Sequence, residues 1–246
     1  MIRNALLYLS NQPRVFKFVK TNRLAKGFAS RFVAGETLET AVPAVRELNG
    51  RGITASLDLL GESVHNEAEA RAAGAEYLKI LDRIAREKLD ANVSVKLTAM
   101  GLDVSEELCV SIMGDVLERA RKYGSFVRLD MEASNYTQKT LELFENRLYP
   151  EFRGTVGVVL QSYLYRTQAD VEHMNTLGAR VRICKGAYKE PASVAFPEKR
   201  DVDANYVTCM QSLLLHGTYP GIATHDEVII EKVKQFAREN DIKPDR

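Results

Sequence analysis

The stretch RVRICKGAY, residues 180–188, begins as a buried strand and ends as a binding surface. Its first half alternates apolar and polar residues, which is the pattern of a strand with one buried face. Arg182 and Lys185 then bring two cations to the end of the strand, and Gly186 allows the backbone to approach a neighbour closely. A strand that ends in cations, a glycine and Tyr188 predicts contact with an anion or an electron-rich ring.

The same kind of strand recurs along the chain, each time followed by a segment with helical periodicity. The predicted strands are residues 53–60, 93–98, 126–131, 156–160, 179–184 and 221–224. Ser105, Thr167 and Asp226 are predicted helix N-caps, and Gly178 and Gly217 are predicted helix ends. A further helix is expected after residue 137. Strands that alternate with helices in this way predict βαβ units and a parallel sheet.

Two α/β folds fit this alternation: a doubly wound open sheet and a TIM barrel. The chain of 246 residues, 45% of them hydrophobic, is long enough for one large core of either kind. It has no G-x-G-x-x-G and no G-x-x-x-x-G-K-[ST] segment, so the usual nucleotide-binding loops of open sheets are missing from the sequence.

The first 35 residues differ in composition from the rest. Seven basic residues and no acidic residue precede Glu36. We interpret residues 1–35 as a basic N-terminal helical arm whose apolar side chains cover part of the protein, and residues 36–246 as a barrel domain. A mitochondrial transit peptide and a helix resting on anionic lipid are the alternatives for the arm.

Composition excludes several classes of function. The net charge of +1 gives no indication of a nucleic-acid partner. Cys109, Cys184 and Cys209 are odd in number and lack C-x-x-C spacing, which favours reduced thiols in a cytosolic protein over a disulfide framework. No apolar run reaches the roughly 18 residues that span a bilayer.

The predicted strands share polar residues at their C-terminal ends. In chain order these are Asp58 with Glu62, Lys96 with Thr98, Asp130 with Glu132, Gln161, Arg182 with Lys185, and Thr224 with His225. Strand alternation is expected to turn Ser94, Lys96 and Thr98 towards one face, and Arg128 with Asp130 likewise. In a barrel, this rim is where active sites lie.

Each of these residues alone also has a purely structural explanation. Lys96 could extend into solvent, Asp130 could cap a helix or form a salt bridge, and His225 could belong to a helix entry. Together they place charges of both signs on one concave face, which costs desolvation unless a ligand or mutual pairing offsets it. The set therefore predicts a binding site. Tyr163 and Cys184, by contrast, are predicted as packing residues.

Longer segments match a known family in the family's own order over nearly the whole chain. They are FVAGET (32–37), LDLLGE (57–62), SVKLT (94–98), VRLDME (127–132), VLQSYLYRT (159–167), VRICKGAYKEP (181–191), AFPEKRDVDANY (195–206) and ATHDEVII (223–230). With these segments the chain resembles the bacterial monofunctional FAD-dependent proline dehydrogenases. The resemblance implies a distorted TIM-type (βα)8 barrel with N-terminal helices and FAD on the C-terminal rim.

The resemblance also implies roles for individual residues. Around the flavin it implies Arg182 near N5, Gln161 and Met131 near the isoalloxazine, Lys185, Gly186 and Ala187 at the ribityl and pyrophosphate region, and Thr224 with His225 on the adenosine side. Around the substrate it implies Lys96 on the proline carboxylate, Asp130 as the catalytic-site acid and Tyr188 closing the pocket.

The implied reaction is oxidation of L-proline to Δ1-pyrroline-5-carboxylate, the first step of proline catabolism. Hydride passes to FAD, and the family usually delivers the electrons to membrane quinone. The implied location is the cytoplasm, with peripheral association at the bacterial inner membrane left open.

One departure from the family pattern concerns the C-terminus. The family continues with two more strands and a helix that carries a paired arginine for the substrate carboxylate, whereas this sequence stops at Arg246. We therefore expect a barrel truncated after its sixth strand and helix, with weak proline binding. The alternatives are a Schiff-base aldolase-type barrel with Lys96 or Lys185 as the amine, and a fragment that holds flavin without turnover.

Overall fold

The computed structural model describes residues 37–59, 61 and 63–243. The arm predicted over residues 1–35 and the strand-end residue Glu62 lie outside them. In the described part the helices are α1 Leu38–Gly50, α2 Glu67–Glu87, α3 Glu106–Lys122, α4 Ser134–Leu143, α5 Tyr149–Phe152, α6 Thr167–Leu177, α7 Lys199–His216 and α8 Glu227–Glu239. The strands are β1 Ala55–Asp58, β2 Ala91–Val95, β3 Val127–Leu129, β4 Val156–Gln161, β5 Arg180–Cys184 and β6 Gly221–Ile222.

The described chain forms two compact units, of which the smaller comprises residues 37–55 and 88–91. Within it, the side-chain amide of Asn49 donates to the carbonyl oxygens of Ile53 and Asp90, each at 3.0 Å. The Asn49 side-chain oxygen in turn accepts from the Asp90 amide at 2.9 Å. The Asn49 side chain, at the end of α1, therefore links the residues that follow α1 to the segment 88–91 of the same unit.

The larger unit comprises residues 56–87 and 92–243 and contains the C-terminal ends of all six strands. The strands lie in the sheet in the order β1-β2-β3-β4-β5-β6, and β2 to β6 pair in parallel. Each strand therefore neighbours the strand that follows it in sequence, as in a (βα) barrel. The predicted α/β architecture with a parallel sheet is confirmed.

The two faces of the sheet have different chemistry. One face is apolar and fully buried; its members include Val93, Val95, Val127, Leu129, Val156, Val158, Val181 and Ile183. The residues that alternate with them carry the polar groups, and the strand register aligns Ser94, Arg128 and Gly157 in one row and Val159, Arg182 and Gly221 in the next. The second row leads directly to the C-terminal rim.

The end of β2 differs from the predicted strand over residues 93–98. The strand ends at Val95, Leu97 has helical dihedral angles (φ −67°, ψ −29°), and a single tight turn follows over Thr98–Met100. Thr98 is fully buried and its hydroxyl donates to Glu132 at 2.5 Å, whereas Lys96 is partly exposed, so the predicted strand alternation does not extend to Thr98. The prediction failed because a buried carboxylate on the next strand-end loop captures this threonine.

Two of the three predicted N-caps are confirmed. The Ser105 hydroxyl accepts from the amide of Leu108 at 3.3 Å, and the Asp226 carboxylate accepts from the amides of Val228 and Ile229 at 3.2 and 3.4 Å. Gly178 and Gly217 end their helices as predicted.

The third predicted cap, Thr167, is wrong. Thr167 is the first residue of α6, and its hydroxyl donates to the carbonyl oxygen of Gln161 at 2.5 Å. Its side chain therefore fixes α6 to the end of β4. The helix expected after residue 137 begins earlier, at Ser134. None of the helices in the described chain combines the length and apolar character that crossing a bilayer requires.

Candidate active site

A cavity of about 920 Å³ opens at the C-terminal ends of the strands. It is lined by Asp58, Lys96, Asp130, Met131, Val159, Gln161, Arg182, Cys184, Lys185, Gly186, Ala187, Tyr188, Ala223, Thr224, His225 and Asp226. Every residue predicted for the catalytic, substrate or cofactor site is among them. The structure thus brings these side chains together, while their individual roles stay predictions.

Arg182 and Asp130, which both line the cavity, form an ion pair. Only 22% of the Arg182 side chain and 17% of the Asp130 side chain are exposed. Burial raises the pKa of Asp130 above its usual value, although Arg182, Arg128 and Lys96 act in the opposite direction. The desolvation of this carboxylate thus outweighs the attraction of three cations.

Asp58 lies next to this pair and is a second carboxylate with a displaced pKa. Burial first, and then the charge of Asp130, raise the pKa of Asp58, whereas Lys96 lowers it. The hydroxyl of Tyr77 donates to Asp58 at 3.2 Å, and this hydrogen bond partly offsets the effect of burial on the pKa of Asp58. Lys96 therefore lies in a field set by two aspartates.

Lys185, directly after β5, is held by two other carboxylates. Its ammonium nitrogen lies 2.6 Å from an Asp203 oxygen and 2.7 Å from an Asp226 oxygen. Asp203 belongs to α7 and Asp226 caps α8, so two helices fix the position of one cation.

Gly186 has a left-handed backbone (φ +101°), as its predicted role in a close approach requires. The neighbour that it approaches is the Tyr163 ring: a Cβ at position 186 would lie 2.5 to 2.7 Å from three of its carbons. The Tyr163 hydroxyl points to Glu190 at 3.4 Å, and Glu190 also accepts from the Ser134 amide at 2.8 Å. Tyr163 therefore packs against the loop between β5 and Pro191. The close approach at Gly186 is thus made to a side chain of the protein itself, and a ligand is not needed to explain the glycine.

Cys184 was predicted to be a core thiol, and it is half-buried where it lines the cavity. Burial raises the pKa of its thiol, and its sulfur contacts the Leu160 carbonyl at 3.6 Å. All three cysteines are unpaired. A protonated thiol at neutral pH does not suit Cys184 as a nucleophile.

Sequence reasoning missed Asp203, Glu190 and the ion pair of Asp226. Asp203 lies in AFPEKRDVDANY and Asp226 in ATHDEVII, two segments that had already been singled out. The ion pairs of Asp203 and Asp226 could not be predicted from these segments, because their partner Lys185 lies elsewhere in the sequence.

A sequence model of the family described as proline dehydrogenase matches residues 41–246. The chain is 40% identical over 242 residues to proline dehydrogenase 1 of Bacillus subtilis (strain 168), which covers 98% of this chain and 79% of the relative. The chain belongs to the proline dehydrogenase family. It is also 38% identical over 240 residues to the proline dehydrogenase of Deinococcus radiodurans, covering 96% of this chain and 76% of that one.

The fold of this proline dehydrogenase family member also matches a larger solved protein. The crystal structure of proline utilization A from Bdellovibrio bacteriovorus, inactivated by N-propargylglycine, superposes with a TM-score of 0.81 at 26% sequence identity. The match covers 90% of this chain and 28% of that one, so this chain spans little more than a quarter of the matched protein. The prediction of a TIM-type barrel family and of an oxidoreductase enzyme is confirmed, and the family connects the chain with proline oxidation in proline catabolism.

The lining of the cavity suits a flavin dinucleotide. Gln161 is only 3% exposed, its side-chain nitrogen donates to the Met131 carbonyl at 3.4 Å, and its oxygen is buried without a hydrogen-bond partner among the described residues. A buried amide oxygen of this kind calls for a donor from a ligand, and a flavin ring carries one. The cations Arg182 and Lys185 suit the electron-rich ring and the diphosphate of the same molecule.

Proposed function

We propose that the cavity binds FAD and L-proline side by side and that the protein oxidises L-proline to Δ1-pyrroline-5-carboxylate. The observation that carries the proposal is the convergence, in one cavity, of the Arg182–Asp130 pair, Lys96 and the unsatisfied oxygen of Gln161. Membership of the proline dehydrogenase family supports the same substrate.

The substrate side of the cavity has a cation for the carboxylate of proline and an aromatic side chain for its ring. Lys96 supplies the positive charge for the proline carboxylate, and Tyr188 closes the pocket over the ring. Asp130, as the catalytic-site acid, keeps Arg182 oriented through their ion pair. Proline must lose the proton from its nitrogen and a hydride from C5, so the site has to receive the neutral amine.

FAD, when bound, supplies the hydride acceptor. Arg182 would lie near N5, where its permanent charge stabilises the electron density that the ring gains on reduction. Gln161 and Met131 would contact the ring system. Lys185, Gly186 and Ala187 would hold the ribityl and diphosphate region, with Thr224 and His225 on the adenosine side.

We further propose that the electrons pass to a membrane quinone, with the protein in the cytoplasm and peripheral at the bacterial inner membrane. The family resemblance supports this acceptor. Proline-dependent reduction of a soluble quinone analogue, and co-sedimentation with anionic vesicles, test the two parts separately.

The deciding experiment is spectroscopic. The purified protein should be yellow, and anaerobic L-proline should bleach its flavin absorbance, whereas glycine should not. K96M should retain the flavin and require at least about tenfold more proline, because a charged contact is lost. K139M, which removes an exposed lysine that pairs with Glu106, is the control and should bleach like wild type.

Two results would contradict the proposal. A flavin that proline cannot bleach would indicate a protein that holds flavin without turnover. A colourless protein in which borohydride traps a substrate on Lys96 or Lys185 would instead indicate Schiff-base chemistry.

A further inference from the structure

Four charged side chains form one cluster at the edge of the cavity. Lys185 lies 2.6 Å from Asp203 and 2.7 Å from Asp226, and Lys199 pairs with the same two carboxylates, 3.1 Å from Asp226. The cluster joins the loop after β5, the first turns of α7 and the N-cap of α8. Two cations and two anions make it neutral as a whole.

The two lysines of this cluster have different surroundings. The Lys185 side chain is 26% exposed and lines the cavity, whereas the Lys199 side chain is 72% exposed. The carboxylates between them are 25% and 20% exposed. Hydrogen bonds from Lys185 and then Lys199 hold the pKa of Asp226 well below its usual range. Both carboxylates therefore stay ionised, and Lys185 is the cation of the cluster that lines the cavity, beside Asp226.

Asp226 uses its two oxygens for different purposes. One oxygen accepts from the amides of Val228 and Ile229 and so begins α8. The other accepts from Lys185. Because the cap fixes the carboxylate to the helix, the ammonium of Lys185 is fixed as well.

We propose that Asp203 and Asp226 are positioning residues that hold the Lys185 ammonium at the cavity wall, oriented towards the anionic diphosphate of the dinucleotide. The inference rests on the proposed function, in which this cavity binds FAD. A free lysine side chain has many rotamers, and fixing them before the ligand arrives lowers the entropy that binding costs. The two carboxylates also repel a diphosphate. If removing one of them weakens FAD binding, its orientation of Lys185 outweighs this repulsion. If removing it strengthens FAD binding, the repulsion is the larger effect.

The test measures the dissociation constant of FAD for the apoprotein of the full chain, through the change in flavin fluorescence. D203A should bind FAD about tenfold more weakly, because a hydrogen bond to a charged group is lost. D203N should bind FAD more weakly than wild type, but by no more than about threefold, because the amide oxygen still accepts from the ammonium. D201A is the matched control: Asp201 lies on the same helix, and its only ion pair among the described residues is with exposed Arg200 at 3.3 Å, so the affinity of D201A for FAD should not change.

A second arm tests whether the effect passes through Lys185. In a K185M background, D203A should cause no further loss, since the group that it positions is already gone. An equal loss in both backgrounds would overturn the inference, and so would D203A or D203N binding FAD more tightly than wild type. If D203A melts too early to be measured, the sign of the D203N effect decides.

Failure of the inference and failure of the proposed function give different results. Wild-type protein that does not bind FAD would overturn the proposed function and this inference together. Wild-type protein that binds FAD, with D203A binding equally well, would overturn only the positioning role.

Discussion

Asp58 illustrates how one residue of the cavity should make stability depend on pH. Burial and then Asp130 raise its pKa in the folded protein above the ordinary value of 3.8. The folded state then binds this proton more tightly than the unfolded chain, so stability is lost as the pH rises through the folded pKa. We expect D58N, which removes the ionisation, to gain in melting temperature relative to wild type as the pH increases from about 3 towards neutrality.

Asp82 provides the control of opposite sign. A hydrogen bond from Arg119 lowers the pKa of Asp82, so its ionised form favours the folded state. D82N should therefore lose in melting temperature relative to wild type over the same pH range. Parallel pH dependences for D58N and D82N would contradict the assignment of either shift.

Gly186 should tolerate alanine less well than another glycine with the same kind of backbone. Its φ of +101° strains any L-residue, and a Cβ would also collide with the Tyr163 ring. Gly154 has a φ of +87° but nothing within 4 Å of a Cβ. We expect G154A to lower the free energy of unfolding by about 1–2 kcal/mol, and G186A to lower it by about 1 kcal/mol more. Urea denaturation measures both, and equal losses would show that the ring yields without cost.

At the residue scale, the sequence predicted the site better than the contacts within it. Each predicted site residue lies near or just beyond the C-terminal end of a strand, and strand ends are recognisable from apolar runs that stop at polar residues. The partners of Lys185 and the aromatic neighbour of Gly186 could not be predicted, because Asp203, Asp226 and Tyr163 belong to other elements. Their proximity is a property of the folded sheet.

At the scale of elements, helices α2 and α3 approach each other through a glycine. A Cβ at Gly74 of α2 would lie 2.5 Å from a methyl carbon of Ile112 on α3. Helix propensity alone favours alanine over glycine, but here the contact should dominate. We expect G74A to destabilise the protein by about 1–3 kcal/mol through overpacking.

Gly114, inside α3, separates the effect of helix propensity from the effect of the packing contact. A Cβ there meets nothing within 4 Å, so G114A should stabilise the protein by about 0.5–1 kcal/mol. In an I112A background, which removes the obstructing methyl group, G74A should no longer destabilise. If G74A costs the same with and without Ile112, the packing contact is not the cause.

The boundaries of elements were harder to predict than their existence. The order of strands and helices follows from alternating periodicity, and Ser105 and Asp226 act as the caps that their residue types suggest. The predictions for Thr98 and Thr167 were wrong for a common reason. Each hydroxyl donates to a buried acceptor beyond its own element: Glu132 for Thr98 and the Gln161 carbonyl for Thr167. Local sequence does not reveal such acceptors.

At the scale of the whole molecule, the cavity is lined by side chains from the C-terminal ends of all six described strands. Under the proposed mechanism, the ring nitrogen of proline must be unprotonated before C5 releases hydride. The value of kcat/KM for proline should therefore rise with pH through a basic apparent pKa and then level off. Steady-state rates from acid to alkaline pH, with flavin occupancy checked at each pH, provide the measurement, and a flat profile would exclude this step.

The sequential strand order has a consequence for biosynthesis. Because each strand pairs with the next one in the sequence, its neighbour has already left the ribosome when it emerges. Each such contact spans one strand–helix–strand unit, so the units can pack one after another in the direction of translation. Among the described strands β6 comes last, followed by Thr224, His225 and Asp226. The nascent chain therefore completes this part of the cavity lining, and supplies the second carboxylate that holds Lys185, only after the other five described strands are made.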